Sequence, residues 1–434
     1  MILDLLNKRL RRFRQILYWC SKIIWQEIEL TLFWWVILAP ASLGRYFREL
    51  AKLWTRDRFR RSGKEHQILV FGWFGLETVG DQAILLGLVR SFWNVWSECH
   101  FHIYSYYPSW TSRTLRILGL ESRAKVVYGI AGLLRSIWSA NMIVLGGGPI
   151  LDDPLVKSWL IFALVGKLLG KPIVVYGCGF DPIHSRTNGL AARLLLDWSD
   201  SAFLRDGESL SRAERMGIDA HLSVTADPSL ALGAEPELSR LRKIHRSSVN
   251  LRIGFCVRAW CSRTDYPELL EVVSRSIELL TRELGARVTL IPFQTHVLDD
   301  DRRVIRELTS KLQKQNNIQM IGSEPGLWEI LGVLNHQDLV ITMRLHGALF
   351  ASMLRIPCIG IMGMKTAKLK PHFTRLGLRD YVLNLDQLSP TDLLVCVRKA
   401  IADHNNLKQI LDRTVPVLSL KARAMSSQVY ADLR

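Results

Sequence analysis

The sequence has little cysteine, and its cysteines are not arranged as ligand or disulfide motifs. The seven cysteines are scattered without a Cys-x-x-Cys pair. Neither a disulfide framework nor a zinc cluster is therefore expected, and we expect no metal site. Low-complexity tracts and internal repeats are also missing from this 48% hydrophobic, 22% charged chain. Collagen, a pure coiled coil and global disorder are therefore excluded.

Acidic residues are scarce relative to basic ones. The chain contains 57 Lys and Arg against 40 Asp and Glu, which gives a formal net charge of +17. Such an excess attracts phosphate groups, acidic lipid headgroups or nucleic acid. The partner class is therefore anionic. With 434 residues, the chain is long enough for about two medium domains with a large buried core.

The positive charge is concentrated at the N-terminus. Residues 1–65 hold 14 Lys and Arg against 6 Asp and Glu, together with five of the fourteen tryptophans. Basic residues alternate with Leu, Ile and Trp around an apolar run at 31–43, which predicts a basic, Trp-rich helical segment on an anionic membrane surface. The run is too short to span a bilayer, which requires about 20 apolar residues. We expect a cytoplasmic protein, peripheral on the inner face of the cytoplasmic membrane.

Two other interpretations of residues 1–65 stay open at the sequence level. A helical hairpin in this segment could cover the first domain instead of contacting a membrane. A signal peptide is conceivable because Ala-Pro-Ala precedes Ser42, although a polar lead of about thirty residues is unusually long for one.

From residue 66 onward, short apolar β-rich runs alternate with amphipathic stretches. This pattern is typical of parallel sheets covered by helices on both faces. It predicts an α/β fold with a first doubly wound domain at 66–235, a polar linker at 236–250, and a second doubly wound domain at 251–434 that ends in helices. The two domains should face a central cleft at the carboxyl ends of their strands. The predicted strands are 67–72, 101–106, 124–128, 142–145, 173–176, 202–205, 222–225, 253–257, 288–292, 318–321, 339–342 and 358–361, and the predicted helices of the second domain lie near 268–284, 302–315 and 345–354.

The first candidate ligand loop follows the first predicted strand. It contains Gly72, Gly75 and Gly80, and a helix begins near Asp81. Glycines let backbone N–H groups approach an anion closely, and the positive end of the helix dipole lies behind them. Asp81 could cap the helix or could orient and deprotonate a substrate hydroxyl. The spacing matches neither the dinucleotide fingerprint nor the P-loop.

A second glycine turn follows the predicted strand at 142–145. Gly146, Gly147 and Gly148 at a strand's carboxyl end favour a ligand or a neighbouring backbone within contact distance, although a tight turn alone would look the same. Another predicted strand ends in Arg205 and Asp206. These two could pair structurally, or they could face the same cleft.

The sharpest signal is the pair Arg344 and His346 at the end of a strand, before an apolar helix. Arg supplies a fixed fork for phosphate or carboxylate, and His is readily poised as a proton donor near neutral pH. A histidine at a helix start is otherwise commonly a cap or a core residue. Arg258 and Lys365 could add cations to the same cleft, or they could be solvated surface charges.

Six segments, taken in order, resemble the polysaccharide pyruvyl transferase family over about residues 67–386. The resemblance implies two Rossmann-like domains in the arrangement of the GT-B glycosyltransferases. It also implies transfer of pyruvate from phosphoenolpyruvate to a sugar as a ketal. The segments are GWFGLETVGDQAIL, VLGGGPILDD, FLRDGESLSRAERMGI, TADPSLAL, GFCVRAW and TMRLHGALFASMLRIPCIGI.

The resemblance also suggests site residues. The family's Arg-x-His element falls on Arg344 and His346, its Arg-Asp element on Arg205 and Asp206, and its glycine-Asp element on Gly80 and Asp81. Glu77-Thr78 stands where an Asn is more usual before that glycine. Together with the residue patterns above, this makes Arg344, Arg205, Arg258 and Lys365 the expected donor-binding residues, and His346 the expected catalytic acid with Asp81 as the expected base.

No cofactor is expected beyond phosphoenolpyruvate as the donor substrate. The expected acceptor is a saccharide of a cell-surface polysaccharide or of its lipid-linked precursor. A glycosyltransferase that uses a nucleotide sugar would share the fold and the basic cleft, and a non-catalytic membrane-associated binding protein is a further alternative. Because the basic residues lie beside tryptophans and form no recognition module, no nucleic-acid partner is expected.

Overall fold

The computed structural model describes residues 52–57, 59, 66–75, 78–146, 148–183, 185–218, 221–242, 250–258, 265–296, 300–312, 317–322, 324–363 and 368–433. Within these residues, thirteen strands form two separate sheets in which every paired neighbour is parallel. The expected two doubly wound α/β domains are confirmed.

The first sheet contains seven of these strands in the order β3-β2-β1-β4-β5-β6-β7. Its central strands are continuous buried runs such as Met142–Gly146 and Ile173–Cys178, as expected for parallel strands covered on both faces. The strands are β1 (His66–Phe71), β2 (Cys99–Tyr104), β3 (Ala124–Val127), β4 (Met142–Gly146), β5 (Ile173–Cys178), β6 (Ser201–Leu204) and β7 (Leu222–Val224). The helices of this part are α1 (Val79–Trp93), α2 (Pro108–Ile117), α3 (Gly129–Ser139), α4 (Val156–Leu168), α5 (Arg186–Trp198), α6 (Gly207–Arg215) and α7 (Pro236–Arg242), with a 3₁₀ helix at Pro228–Ala234.

The second sheet repeats this winding with the order β10-β9-β8-β11-β12-β13. Its edge strand Val382–Asn384 was not predicted, because it has only three half-buried residues. The strands are β8 (Arg252–Cys256), β9 (Arg287–Ile291), β10 (Ile318–Met320), β11 (Leu339–Thr342), β12 (Cys358–Met362) and β13 (Val382–Asn384). The helices are α8 (Tyr266–Leu284), α9 (Asp301–Lys311), α10 (Leu327–Asn335), α11 (Leu345–Leu354), α12 (Leu369–Leu376), α13 (Pro390–Ala402) and α14 (His404–Leu433), with 3₁₀ turns at Arg379–Tyr381 and Leu385–Gln387.

The last helix, α14, packs on the first domain although it follows the second domain in sequence. Ser426 donates a hydrogen bond to the Ser91 carbonyl at 2.8 Å, and Thr225 donates one to the Lys421 carbonyl at 3.0 Å. Ser201 donates another to Asp432 at 2.6 Å. Residues 251–434 are thus not one unit in space. The predicted linker at 236–250 begins with the short helix α7, and residues 243–249 lie outside the described part.

The N-terminal residues that the structure describes pack on the first domain. Residues 52–57 are helical, and the buried Thr55 hydroxyl donates to Asp200 at 3.0 Å. Phe59 stacks on His66 with a centroid distance of 4.9 Å. Most of residues 1–65 lie outside the described residues, so their membrane contact stays a prediction. Among the helices that are described, none combines the length and the apolar character needed to cross a bilayer.

The two domains dock through the start of α1. Val79 donates its backbone N–H to the Phe293 carbonyl at 3.0 Å, and the Thr78 hydroxyl lies 2.9 Å from Oε1 of Gln294. Gln82 accepts the backbone N–H of Leu327 at 3.1 Å. These contacts hold the beginning of α1 against the segment after β9 and the start of α10, where the cleft opens.

Candidate active site

A cavity of about 300 Å³ lies between the domains, at the carboxyl ends of both sheets. This is where doubly wound folds place their ligands. The first domain lines it with Trp73, Thr78, Asp81, Gly148, Pro149, Asp153 and Arg205, and the second domain with Arg258, Phe293, Gln294, Met343, Arg344, Leu345, His346, Lys368 and Leu369. The cavity therefore joins five of the six predicted catalytic and donor-binding residues, and it places cations opposite carboxyl groups.

His346 projects from the first turn of α11 against the first turn of α1. A Cβ atom added to Gly80 would lie 2.0 Å from Nδ1 of His346, so only glycine lets the imidazole approach this closely. The N-cap position of α11 belongs to Arg344, so His346 is not the helix cap. Nε2 of His346 is buried, and within the described part of the chain it has no hydrogen-bond partner.

Asp227 faces His346 from the other domain, with 3.8 Å between its Oδ1 and Nε2 of His346. Asp227 also accepts hydrogen bonds from the backbone N–H and the hydroxyl of Ser229, at 3.0 and 2.7 Å. Burial alone would raise the pKa of Asp227, but the neighbouring His346, Arg205 and Ser229 hold it well below its usual range. Asp227 is thus a fixed negative charge behind His346.

Asp81 and Asp153 are two further carboxyl groups at the cavity. Burial raises the pKa of Asp81 to about 7, opposed by nearby His346 and reinforced by Asp227. Burial also raises the pKa of Asp153 to about 7. The N-cap position of α1 is Thr78, so Asp81 does not cap this helix. Both groups can therefore exchange a proton near neutral pH.

Arg344 is held by Asp301, a completely buried residue at the start of α9. The guanidinium donates from Nε to Oδ2 at 3.2 Å and from Nη2 to Oδ1. Asp301 also accepts the backbone N–H groups of Phe293 and Gln294, at 3.1 and 3.0 Å. The bidentate pair fixes the direction of the Arg344 fork at the cavity wall.

Arg205 extends from the end of β6 and lies between two carboxylates. Its Nη1 lies 3.5 Å from Asp227, and its Nε lies 3.5 Å from Asp206. Asp206 is also the N-cap residue of α6, where it accepts the backbone N–H of Ser209 at 2.8 Å. Both interpretations of Arg205 and Asp206 thus apply, because the two residues are paired and Arg205 lines the cavity.

The predicted lysine at the cavity, Lys365, lies outside the described residues. Among the described residues, Lys368 lines the cavity, with Nζ 3.5 Å from Asp152 and 3.6 Å from Asp181 across the cleft. Arg258 lines the cavity as expected. The cleft therefore contains the expected group of cations, with a different lysine among the residues described.

The predicted glycines of the cleft loops differ in whether they line the cavity. Gly148 lines the cavity with φ +85°, a left-handed conformation that favours glycine. A Cβ atom added there would lie 3.5 Å from Oδ1 of Asp81 and 3.6 Å from the Trp73 ring. Gly72 packs directly on the Gly146 carbonyl, so these two loops support each other. Gly75 lies beside Ser105 and Thr111, and Gly147 lies outside the described residues.

Four residues at or behind the cavity were missed by sequence reasoning. They are Asp153, Asp227, Asp301 and Lys368. Signals for two of them were present, because Asp153 lies in VLGGGPILDD and Asp227 in TADPSLAL. Asp301 is one of three consecutive aspartates, and a run of this kind usually indicates only a solvated helix start. In the part of the chain that the structure describes, no three His, Cys, Asp or Glu side chains are grouped to hold a metal ion.

Comparisons with solved structures identify the fold. UDP-GlcNAc 2-epimerase from Neisseria meningitidis, bound to UDP-GlcNAc, is 11% identical with a TM-score of 0.57, covering 85% of this chain and 99% of its own. HepE from Anabaena in complex with UDP-glucose is 12% identical with a TM-score of 0.55, covering 85% of this chain and 100% of its own. The UDP-GlcNAc 2-epimerase from Methanocaldococcus jannaschii is 14% identical with a TM-score of 0.53, covering 76% of this chain and 91% of its own. At such identities the likeness shows the fold alone, and it confirms the GT-B-like arrangement.

A comparison with curated protein sequences finds no match. The profile of the polysaccharide pyruvyl transferase family, in contrast, matches residues 79–363, about two thirds of the chain. This range includes the start of α1, both strand-end arginines and His346. The chain therefore belongs to the polysaccharide pyruvyl transferase family, and it is a transferase that moves pyruvate from a donor to a saccharide acceptor.

Proposed function

We propose that the protein transfers pyruvate from phosphoenolpyruvate to two hydroxyl groups of a saccharide and forms a cyclic ketal. The observation that carries this proposal is the convergence of Arg205, Arg258, Arg344 and Lys368 on one cavity. Phosphoenolpyruvate carries a phosphate and a carboxylate on a three-carbon skeleton, so a compact site for it needs several cations. A cavity of about 300 Å³ has room for the donor and part of a sugar ring.

The donor would bind mainly against the cations of the second domain. Arg344 is the best-oriented of these, because Asp301 fixes its guanidinium in a bidentate pair. Arg258 and Lys368 supply further positive charge at the same wall, and Arg205 extends from the first domain. Because the site is shared between domains, we expect closure of the cleft to accompany binding.

His346 is the proposed general acid. It would protonate the methylene carbon of phosphoenolpyruvate and thus generate a methyl group and an oxocarbenium-like centre at the adjoining carbon. Asp227 supports this role because it places a carboxylate 3.8 Å from Nε2 of the proposed acid. In the balanced reaction, the two sugar hydroxyls lose two protons. One of them restores the proton that His346 gave to carbon, and the other leaves with the phosphate.

Asp81 is the proposed base for the acceptor. Its pKa of about 7 suits it to take a proton from a sugar hydroxyl near neutral pH. The first oxygen attacks the oxocarbenium-like carbon, phosphate leaves, and a second hydroxyl of the same sugar closes the ketal. Asp81 and His346 belong to different domains and lie next to each other at Gly80, so donor and acceptor can meet between them.

The proposed acceptor is a cell-envelope saccharide, in a polymer or on a lipid carrier. Fourteen Lys and Arg and five Trp in residues 1–65 support peripheral contact with an anionic inner membrane face, where lipid-linked precursors would be encountered. Replacing Arg9, Arg11, Arg12 and Arg14 by Gln tests this contact in the full-length chain. We expect weaker, less salt-sensitive sedimentation with phosphatidylglycerol vesicles, and unchanged sedimentation would contradict the contact.

The decisive experiment incubates the purified protein with a membrane extract and phosphoenolpyruvate labelled in its pyruvyl carbons. We expect acid-labile label in a saccharide, together with one inorganic phosphate per pyruvate transferred. His346→Gln serves as the inactive control, and Lys399→Gln, a half-exposed residue that does not line the cavity, serves as the active one. Labelling from UDP-GlcNAc but not from phosphoenolpyruvate would overturn the proposal in favour of a nucleotide-sugar transferase.

A further inference from the structure

Helix α3 exposes apolar residues on its outer face. Ile130, Leu134 and Trp138 are 50, 51 and 70% exposed, and their spacing of four residues places them in one row along the helix. The opposite face, with Leu133 and Ile137, is buried in the core of the first domain. A surface helix normally directs polar side chains outward. The outer row of α3 therefore lacks the polarity expected of a surface that contacts only water.

Neighbouring elements extend this row at one end of the first sheet. Leu168, the last residue of α4, is 77% exposed. Three residues later, Lys171 donates from Nζ to the Trp138 carbonyl at 2.8 Å, so the C-terminal ends of α3 and α4 meet. Both helices end where the next strand of the sheet begins.

The described N-terminal helix reaches the same end of the sheet. Within residues 52–57, Leu53 is 64% exposed and Trp54 is 45% exposed. Thr55 of this helix donates to Asp200, which also accepts from Nζ of Lys167 at 2.6 Å in the last turn of α4. We use the name apolar edge for the exposed residues Leu53, Trp54, Ile130, Leu134, Trp138 and Leu168.

The charge that α3 and α4 present at the apolar edge is positive. Neither helix contains Asp or Glu; Arg135 is exposed and Lys157 is partly exposed, whereas Lys167 is buried in its ion pair with Asp200. The helix at 52–57 also carries one exposed acidic residue, Asp57. Arg135 is exposed directly beside Leu134. The chain that leads into Leu53, residues 1–51, carries eight Lys and Arg against four Asp and Glu. On α3 and α4, exposed Trp and Leu have basic residues as the only charged residues of the same helices, which matches the interface of an anionic bilayer.

We propose that the apolar edge is a membrane-binding surface of the folded first domain, with an anionic lipid bilayer as its occupant. The row on α3 runs from the carboxyl end of β3 to the amino end of β4. Trp138, Leu168, Leu53 and Trp54 thus lie at the amino ends of the strands, and a bilayer on the apolar edge would leave the cleft at the opposite end open. This contact is separate from the one proposed for residues 1–65, since it uses side chains fixed on the domain.

The test compares full-length variants in sedimentation with vesicles of phosphatidylcholine that contain about 30% phosphatidylglycerol. We expect Leu134→Ser with Trp138→Ser to lower the partition coefficient at least about fivefold, because both side chains would leave the interface. The matched control is Val417→Ser with Leu420→Ser, which removes two residues that are 50 and 65% exposed on α14. It should sediment like the wild-type chain.

Binding of the Leu134/Trp138 variant equal to wild type would overturn the proposal. Equal losses in the α14 control would do the same, because binding would then not be localised. Loss of concentration-dependent self-association with unchanged vesicle binding would assign the surface to a second copy instead. If the first variant melts at a lower temperature, Ile130→Ser with Leu168→Ser tests the same surface through two other exposed positions, with the same fivefold loss expected.

Discussion

His346 of the second domain and Asp227 of the first domain face each other across the cleft, with 3.8 Å between Nε2 and Oδ1. Neither domain alone contains both groups. The 3₁₀ helix Pro228–Ala234 begins just after Asp227, and α11 begins one residue before His346, so both side chains are held on regular elements. The relative position of the domains thus determines whether the proposed acid has its negative partner.

The proposed acid role predicts a particular pattern in a double-mutant cycle. His346→Gln should lower kcat by about 10² to 10⁴-fold, the usual contribution of general acid catalysis. Asp227→Asn should lower kcat in the wild-type background but change it little in the His346→Gln background, because Asp227 acts through His346. Steady-state phosphate release measures both effects. Losses that simply add would show that Asp227 acts independently, for instance through Arg205.

Gly80→Ala should inactivate the enzyme without unfolding it. The added methyl would lie 2.0 Å from Nδ1 of His346, so the imidazole must move. We expect kcat/KM to fall at least about 100-fold, the order expected when a proton donor is displaced. Gly332→Ala in α10 is the matched control, since outside its chain neighbours and the backbone of its own helix no atom lies within 4 Å of its new Cβ. The control should keep full activity and gain up to about 1 kcal/mol of stability.

Arg344→Lys should raise the KM for phosphoenolpyruvate at least about tenfold with a smaller change in kcat. Lysine keeps the positive charge but loses the bidentate fork that Asp301 orients. Charge retention also avoids leaving the buried Asp301 carboxylate without a cation. Initial rates over a range of donor concentrations measure the effect. An unchanged KM would indicate that Arg344 serves the domain structure and not the donor.

The raised pKa of Asp81 predicts how stability depends on pH. Its pKa is about 7 in the folded chain against an ordinary value of 3.8, so between these limits the folded chain binds more protons than the unfolded chain. The contribution of Asp81 to stability therefore falls as the pH rises from about 4 to 7. Each pKa unit corresponds to about 1.4 kcal/mol.

Asp81→Asn should remove this dependence. The free energy of unfolding of the variant, relative to that of wild type, should therefore be higher at pH 8 than at pH 5. Urea unfolding at the two pH values measures the change. Asp380→Asn, whose side chain is 81% exposed, is the control and should follow the wild-type curve. If Asp81→Asn changes stability equally at both pH values, the carboxyl is ionised throughout this range and its pKa is not raised.

Lys167→Met should destabilise the first domain by about 3 to 5 kcal/mol, because it leaves a buried charge without its partner. Lys167 and Asp200 form an ion pair at 2.6 Å whose side chains are 2 and 0% exposed. Lys399→Met removes an exposed pair and should cost less than about 1 kcal/mol. Denaturant unfolding compares the two variants. A small loss for Lys167→Met would mean that Thr55 and the Ile173 N–H satisfy Asp200 without the lysine.

The positions of the strands could be predicted closely because they depend on local pattern. Strand β11 was predicted with its observed bounds, and β4 differs by one residue. Both are buried apolar runs with polar or glycine residues at their ends, which parallel strands require. The edge strand β13 was missed because three half-buried residues leave no pattern to detect.

The placement of Arg205, Arg344 and His346 at a common cleft also followed from the sequence. Each lies at or just beyond the carboxyl end of a predicted strand, and in a doubly wound fold these ends meet at one edge. Apart from the neighbouring Asp206, the partners of these residues did not follow. Asp227 and Asp301 are 119 and 43 residues away from the side chains they hold, and such pairs form only when helices and domains dock.

The amino-acid sequence by itself determined the two wound sheets and the edge at which cations and carboxylates gather, because hydrophobic period and strand-end chemistry are properties of short segments. Only the tertiary structure decided that Gly80 receives the His346 ring, that α14 returns to the first domain, and that the outer row of α3 stays exposed. These features depend on which surfaces meet. A helix pattern shows that a face is apolar, but only packing decides whether another element covers it.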